Sequence, residues 1–140
     1  LSEIIQSDTD FINLRFGAVL PDSSWIPDVI NSTDNLDVPF VQLGQVYASD
    51  VVTAIIRTVE APIKLEVRTC NLVGPDSNCS ISTLEMLRMI LKDKAPEFDL
   101  SYYEQPGNAH KPLYAMDGIY REFGFKAIKS TRPFEHGVIK

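Results

Sequence analysis

Apolar residues recur in this chain with two periods, and the switches between them mark its elements. Residues 9–20 are rich in apolar side chains and are stopped by Pro21. The length of that run and its stop predict a buried strand rather than a helix. From Asp50 the period changes. Val51, Val52, Ala54, Ile55, Ile56 and Val59 fall at helical spacing, and Pro62 ends the pattern. Asp50 or Ser49 is placed to cap the free amides at its start. Residues 67–73 read as a second long strand, closed by Gly74-Pro75.

A second helix follows. Ser82 with Glu85 three positions on forms a capping box, and Leu84, Leu87, Met89, Ile90 and Leu91 form its expected buried side. Lys92 and Lys94 suit its C-terminal end. Residues 98–103 alternate apolar and polar, which predicts a strand. Residues 105–112 read as a loop. Residues 116–123 form a short helix with Gly124 as its stop. The remaining expectations are a helix tail at residues 1–8, a turn at 21–24, one helical turn at 25–30 and an exposed loop at 31–37. Residues 40–47 are expected to be extended, and 132–138 to form a last short helix. The order is β, a variable stretch, then β-α-β-α-β-α. That is an α/β fold in a single domain, residues 1–140, with the first long strand parallel to the strand at 67–73.

Composition narrows the partners. Of the 140 residues, 44% are hydrophobic and 23% charged, enough for a real core. The formal net charge of −6 argues against nucleic acid and an anionic membrane surface. No apolar run reaches the roughly 18 residues of a membrane span. Residues 1–6 lack the basic start and apolar body of a signal peptide. The missing initiator methionine fits a processed start or a piece of a longer chain. Cys70 and Cys79 read as reduced thiols, and no Cys/His grouping has zinc spacing, so the expectation is a cytoplasmic protein without metal.

The motifs, taken in order, resemble the C-terminal, substrate-binding part of the NAD-dependent epimerase/dehydratase family, the extended short-chain dehydrogenases. Leu14-Arg15-Phe16-Gly17 stands for the family's "Leu-Arg" strand. Val46 to Asp50 matches its strand ending "Val-x-Asp". Arg68 to Gly74, with Asn71, matches the strand ending Tyr-Asn and a small residue. Ser82 to Met86 matches the "Ser/Thr-x-x-Glu-Leu" helix, and Asp117 to Lys126 the closing Asp-headed helix. Residues 59–71 and 95–102 are most similar to the L-threonine dehydrogenase-like branch. The resemblance implies the last strands of a Rossmann-type sheet plus a small substrate-binding subdomain. It implies NAD or NADP beside Phe16, Gly17 and Ala18 in the full-length protein. It implies a small-molecule substrate near Trp25, Asn71 and Lys111.

Two parts of the family's chemistry are absent. No glycines cluster as in the pyrophosphate-binding turn, and no tyrosine has a lysine four positions on to tune it as a proton shuttle. No catalytic residue is therefore assigned, and the chain alone is expected to bind no cofactor and to be inactive. The leading expectation is the C-terminal part of a longer NAD-dependent enzyme. A non-catalytic dinucleotide-sensing relative and a stand-alone interaction module remain the alternatives. Self-association through exposed sheet edges is the expected behaviour of the isolated chain.

The substrate side also departs from the sugar-nucleotide pattern. Ala18 stands nearest an expected asparagine and Leu43 where an arginine would hold pyrophosphate, and Lys111 is the nearest candidate for a second arginine. A smaller substrate, or none, fits better. Each candidate has an ordinary reading too: Asp50 as a helix cap, Asn71 as a turn former, and Arg15 as a pair inside the sheet edge. Lys111 can be a solvated lysine, His110 a loop residue, and Trp25 and Phe16 core packing.

Overall fold

The computed structural model describes residues 8–22, 30, 33–34 and 43–132. The helix expected at the start, Trp25 with the helical turn around it, most of the loop at 31–37 and the helix expected after 132 lie outside the described residues. The elements are β1 (Phe11–Phe16), β2 (Ala18–Leu20), β3 (Gln45–Tyr47), α1 (Ala48–Glu60), β4 (Val67–Leu72), α2 (Thr83–Leu91) and α3 (Asp117–Phe123). Two 3₁₀ turns, Lys92–Glu97 and Ser101–Glu104, join α2 to α3.

The fold is α/β, with two two-stranded parallel sheets, β1-β4 and β2-β3. Parallel strands need a long crossover, and α1 lies in the connection that brings β4 back beside β1. Leu14 stands beside Cys70 and Phe16 beside Leu72, the pairing expected of the first long strand.

The run at 9–20 is not one buried strand. It breaks at Gly17 and changes partner there, from β4 to β3. Gly17 still donates to Leu72 (3.1 Å), but Ala18 donates to the carbonyl of Gly44 (2.8 Å). The next carbonyl, of Gln45, accepts from Gly74 (2.7 Å). Successive carbonyls of a strand point to opposite sides, so β3 is wedged between β2 and the chain leaving β4. A glycine is required at the fork. A Cβ on Gly17 would overlap the carbonyl oxygen of Gly44 and lie 2.9 Å from Val73.

Burial along β1 and β4 alternates. Ile12, Leu14, Cys70 and Leu72 face α1 and α3, where Val51, Ala54, Ile119 and Phe123 complete the main core. Phe11, Asn13, Arg15, Val67 and Thr69 point the other way and are exposed. Among the described residues Arg15 is not paired inside the sheet edge; it lies on this exposed face beside Asn71. Among the described residues the outer edge of β1 and β2 has no strand neighbour.

Arg68 faces the helices as well, and at 6% exposure it needs partners. Its guanidinium sits 4.8 Å from the Phe123 ring centre, 2.5 Å from Asp10 and 3.6 Å from Glu122. Burial pushes the Asp10 pKa up, but the amides of Lys64, Glu66 and Leu65 and the charge of Arg68 outweigh it and leave the pKa lowered.

α1 begins after Tyr47, and no side chain caps it. Asp50, read as a cap, is 3% exposed inside the first turn, and its carboxylate accepts the amides of Ile128 (3.1 Å) and Lys129 (3.0 Å). Ser49, the other expected cap, gives its hydroxyl (2.5 Å) and its amide (2.8 Å) to Asp22. Only part of the expected apolar face is covered. Val51 and Ala54 are buried, whereas Val52, Ile55, Ile56 and Val59 form an exposed stripe at positions i, i+3, i+4 and i+7.

α2 carries the expected capping box: Ser82 accepts the Glu85 amide (3.2 Å) and Glu85 accepts the Ser82 amide (3.0 Å). Its buried face is turned from expectation. Met86 and Leu87 are buried and Met89 is exposed, because Met86 packs with Leu43 and Cys79 in a second core. Residues 98–103 are not a strand. Ser101–Glu104 coil into a 3₁₀ turn and Phe98 is left exposed. α3 ends as expected at Gly124, whose φ of 64° suits a residue without Cβ.

Lys129 also pairs with Asp22, and its hydrogen bond, then that of Ser49, lowers the Asp22 pKa to about 2 from an ordinary 3.8. A carboxylate with a depressed folded pKa contributes stability fully above its unfolded pKa and loses it as pH falls through the folded one. The urea midpoint of the wild type should therefore exceed that of Asp22→Asn by a constant amount above pH 5. The gap should close between pH 4 and about pH 2. A gap that persists unchanged to pH 2 would show that Asp22 acts through packing instead.

Candidate functional site

A cavity of about 750 Å³ opens beside the carboxyl end of β4. One wall is Gly74-Pro75, the residues that follow the strand, and the opposite walls come from residues 102–103 and 111–127. Open α/β sheets place ligands beyond the carboxyl ends of their strands, which is where this cavity lies.

The wall is built by polar side chains that tie the chain ahead of α3 to the rest of the fold. Thr83, buried at the start of α2, donates from its amide to Ala109 (2.7 Å) and from its hydroxyl to Lys111 (2.8 Å). Ser77 shares a hydrogen bond with the Thr83 hydroxyl (2.9 Å) and donates its amide to His110 (2.8 Å). The Tyr103 hydroxyl donates to the Pro112 carbonyl (3.1 Å). Asn71 donates to the Ala115 carbonyl (3.2 Å), and the Val73 amide bonds the Met116 sulfur (3.2 Å). Leu113 and Met116 pack this segment against the two cores, and these bonds fix the position of its backbone.

The lining is aromatic and basic. Tyr102 and Tyr120 are 50% and 60% exposed. Tyr103 stands edge-on to Tyr102, with ring centres 5.2 Å apart, and burial raises its pKa. Phe125 and Ala127, both buried, are part of the lining and of the main core. Lys111 and Lys126 line the cavity without an ion pair among the described residues. The carboxylate on the lining, Asp117, is paired with Arg121 (3.4 Å).

Of the residues expected at a site, Lys111 lines the cavity and Asn71 supports its wall through Ala115. Asn71 thus does more than form a turn. Phe16, Gly17 and Ala18 are not among the lining residues. The Gly17 and Ala18 amides are consumed in strand pairing, and Phe16 is exposed next to them. Trp25 lies outside the described residues. Sequence reasoning missed Tyr102, Tyr103, Tyr120 and Lys126. The available signal was density: four of the five tyrosines lie between residues 102 and 120.

The titratable groups elsewhere are quiet. Burial lowers the His110 pKa, and the charge of Arg132 adds to that, so the imidazole is neutral at pH 7. Burial pushes the Cys79 thiol up to about 11 and raises Cys70 as well, which keeps both unreactive as nucleophiles. Among the described residues no three His, Cys, Asp or Glu side chains could hold a metal ion, and no helix is long and apolar enough to cross a membrane. Comparison with protein-family models, with curated proteins and with solved structures finds no match to this chain.

Proposed function

We propose that this chain is the substrate-side portion of an NAD-dependent epimerase/dehydratase or dehydrogenase of the extended short-chain type. Its strands would be the last ones of a Rossmann-type sheet, with the segment beyond β4 as the substrate-binding subdomain. The observation that carries the reading is the β1-β4 pair. It is parallel and joined through a helical crossover, yet among the described residues its outer edge has no strand neighbour and one face is exposed, with a cavity at its carboxyl end. All-parallel sheets are normally covered on both faces, and two strands are fewer than such a sheet needs. Further strands added at β1 would cover the edge, and the helices that connect them would cover the face. They would also bring NAD or NADP to the end of β1, at Phe16, Gly17 and Ala18. In the isolated chain the same bare edge favours self-association. A cytoplasmic setting goes with this chemistry.

The test is a titration of NADH and NADPH into the protein made from its full reading frame, followed by nicotinamide fluorescence. Saturable binding of one of them is expected, weakened about tenfold or more by Phe16→Asp. Phe16 is half exposed, so the change leaves the fold intact. Binding of neither coenzyme would overturn the proposal.

A further inference from the structure

We infer that the cavity between Pro75, the Tyr102-Tyr103 pair and Tyr120 binds a flat organic monoanion, an aromatic carboxylate of one or two rings. As a substrate class this rests on the reading above. The binding itself needs no coenzyme, so the two can fail separately.

Three features of the lining converge on that chemistry. The first is charge. The protein is acidic, with a formal net charge of −6, yet among the described residues this cavity gathers two lysines against one carboxylate. That carboxylate, Asp117, is already engaged by Arg121. The lining therefore carries an excess of one positive charge, enough to neutralise one anionic group.

The second is the kind of cation. Lys111 and Lys126 are point charges, and among the described residues no arginine fork is part of the lining. A pyrophosphate is best held by planar, bidentate donors, whereas a single carboxylate is satisfied by one or two ammonium groups. The backbone of Lys111 is held in place, because its carbonyl accepts the buried Thr83 hydroxyl.

The third is the body of the ligand. Tyr102 and Tyr120 line the cavity and are at least half exposed, and Tyr102 and Tyr103 form an edge-to-face pair. Aromatic side chains beside a largely apolar lining that includes Phe125, Ala127 and Met116 favour a planar group over a branched or sugar-like one.

The experiment is an NMR titration of the ¹⁵N-labelled chain at pH 7 with four probes: 3-phenylpropionate, 3-phenylpropanol, 3-cyclohexylpropionate and uridine monophosphate. Saturable shifts from 3-phenylpropionate are expected at residues 111–127. The other three should bind about tenfold more weakly or worse. Lys111→Met with Lys126→Met should reduce 3-phenylpropionate binding about tenfold and bring it level with the neutral alcohol. Tyr120→Leu, at an exposed position, should erase the preference over the cyclohexyl acid. The spectrum of each variant reports whether it is folded. Equal binding of acid and alcohol, equal binding of phenyl and cyclohexyl acids, tighter binding of the nucleotide, or no saturable shift would each overturn the inference.

Discussion

Gly17→Ala should destabilise the protein by about 3 kcal/mol or more, and of all single-methyl additions here it should cost the most. The new Cβ would meet backbone rather than a side chain that can turn away: the carbonyl oxygen of Gly44, with the Gly44 carbonyl carbon at 2.7 Å and Val73 at 2.9 Å. Relief requires β2 and β3 to separate at the point where Ala18 bonds Gly44. The measurement is the urea midpoint, with circular dichroism to confirm that α1 and α2 persist. Gly44→Ala is the control. Its nearest obstacle is a side chain, the Tyr114 ring at 2.6 Å, rather than backbone. If Gly17 served only to admit a coenzyme, Gly17→Ala would leave the midpoint unchanged and alter coenzyme affinity alone. A wild-type midpoint would therefore reverse the structural assignment.

Asp50→Ala should cost about 3 kcal/mol, since it removes the charged acceptor of two backbone amides at a nearly closed site. Asp50→Asn retains a neutral oxygen and should lose about half as much. The distinguishing readout is hydrogen exchange. The amides of Ile128 and Lys129 should exchange faster in Asp50→Ala, while the first amides of α1 should not change. The opposite pattern, with the start of α1 opening and residues 128–129 unaffected, would restore the capping role.

The parts of the fold that local chemistry dictates were legible. The capping box at Ser82 and Glu85, the stop at Gly124 and the helix after Tyr47 each depend on residues within a turn or two of one another. The parallel pairing of β1 with β4 also followed, because a strand, a helix and a strand in that order leave few topologies. What was hidden depends on distant residues. The break at Gly17 is caused by Gly44, and Asp50 answers to amides 78 and 79 positions away. The alternation at 98–103 looked like a strand because apolar and polar residues do alternate. Among the described residues it pairs with no strand, and Tyr103 instead donates its hydroxyl to Pro112. Helical spacing identified α1 without telling which of its two apolar sides would be buried. At the candidate site the same division holds. Lys111 was visible as a basic residue ahead of the last helix, but its companions Tyr102, Tyr120 and Lys126 meet it only after the chain folds back.

The register of the two sheets has a consequence in time. Ala18 pairs with Gln45 and Phe11 with Val67, so every rung joins residues far apart along the chain. Among the described residues no hairpin exists to form first and hold a nucleus together. Loop closure must be paid before any strand pairing rewards it, which places this topology among the slower folders. On the ribosome β1 waits unpaired until β4 has been made, and the anchor at Asp50 waits longer still, for residues 128 and 129.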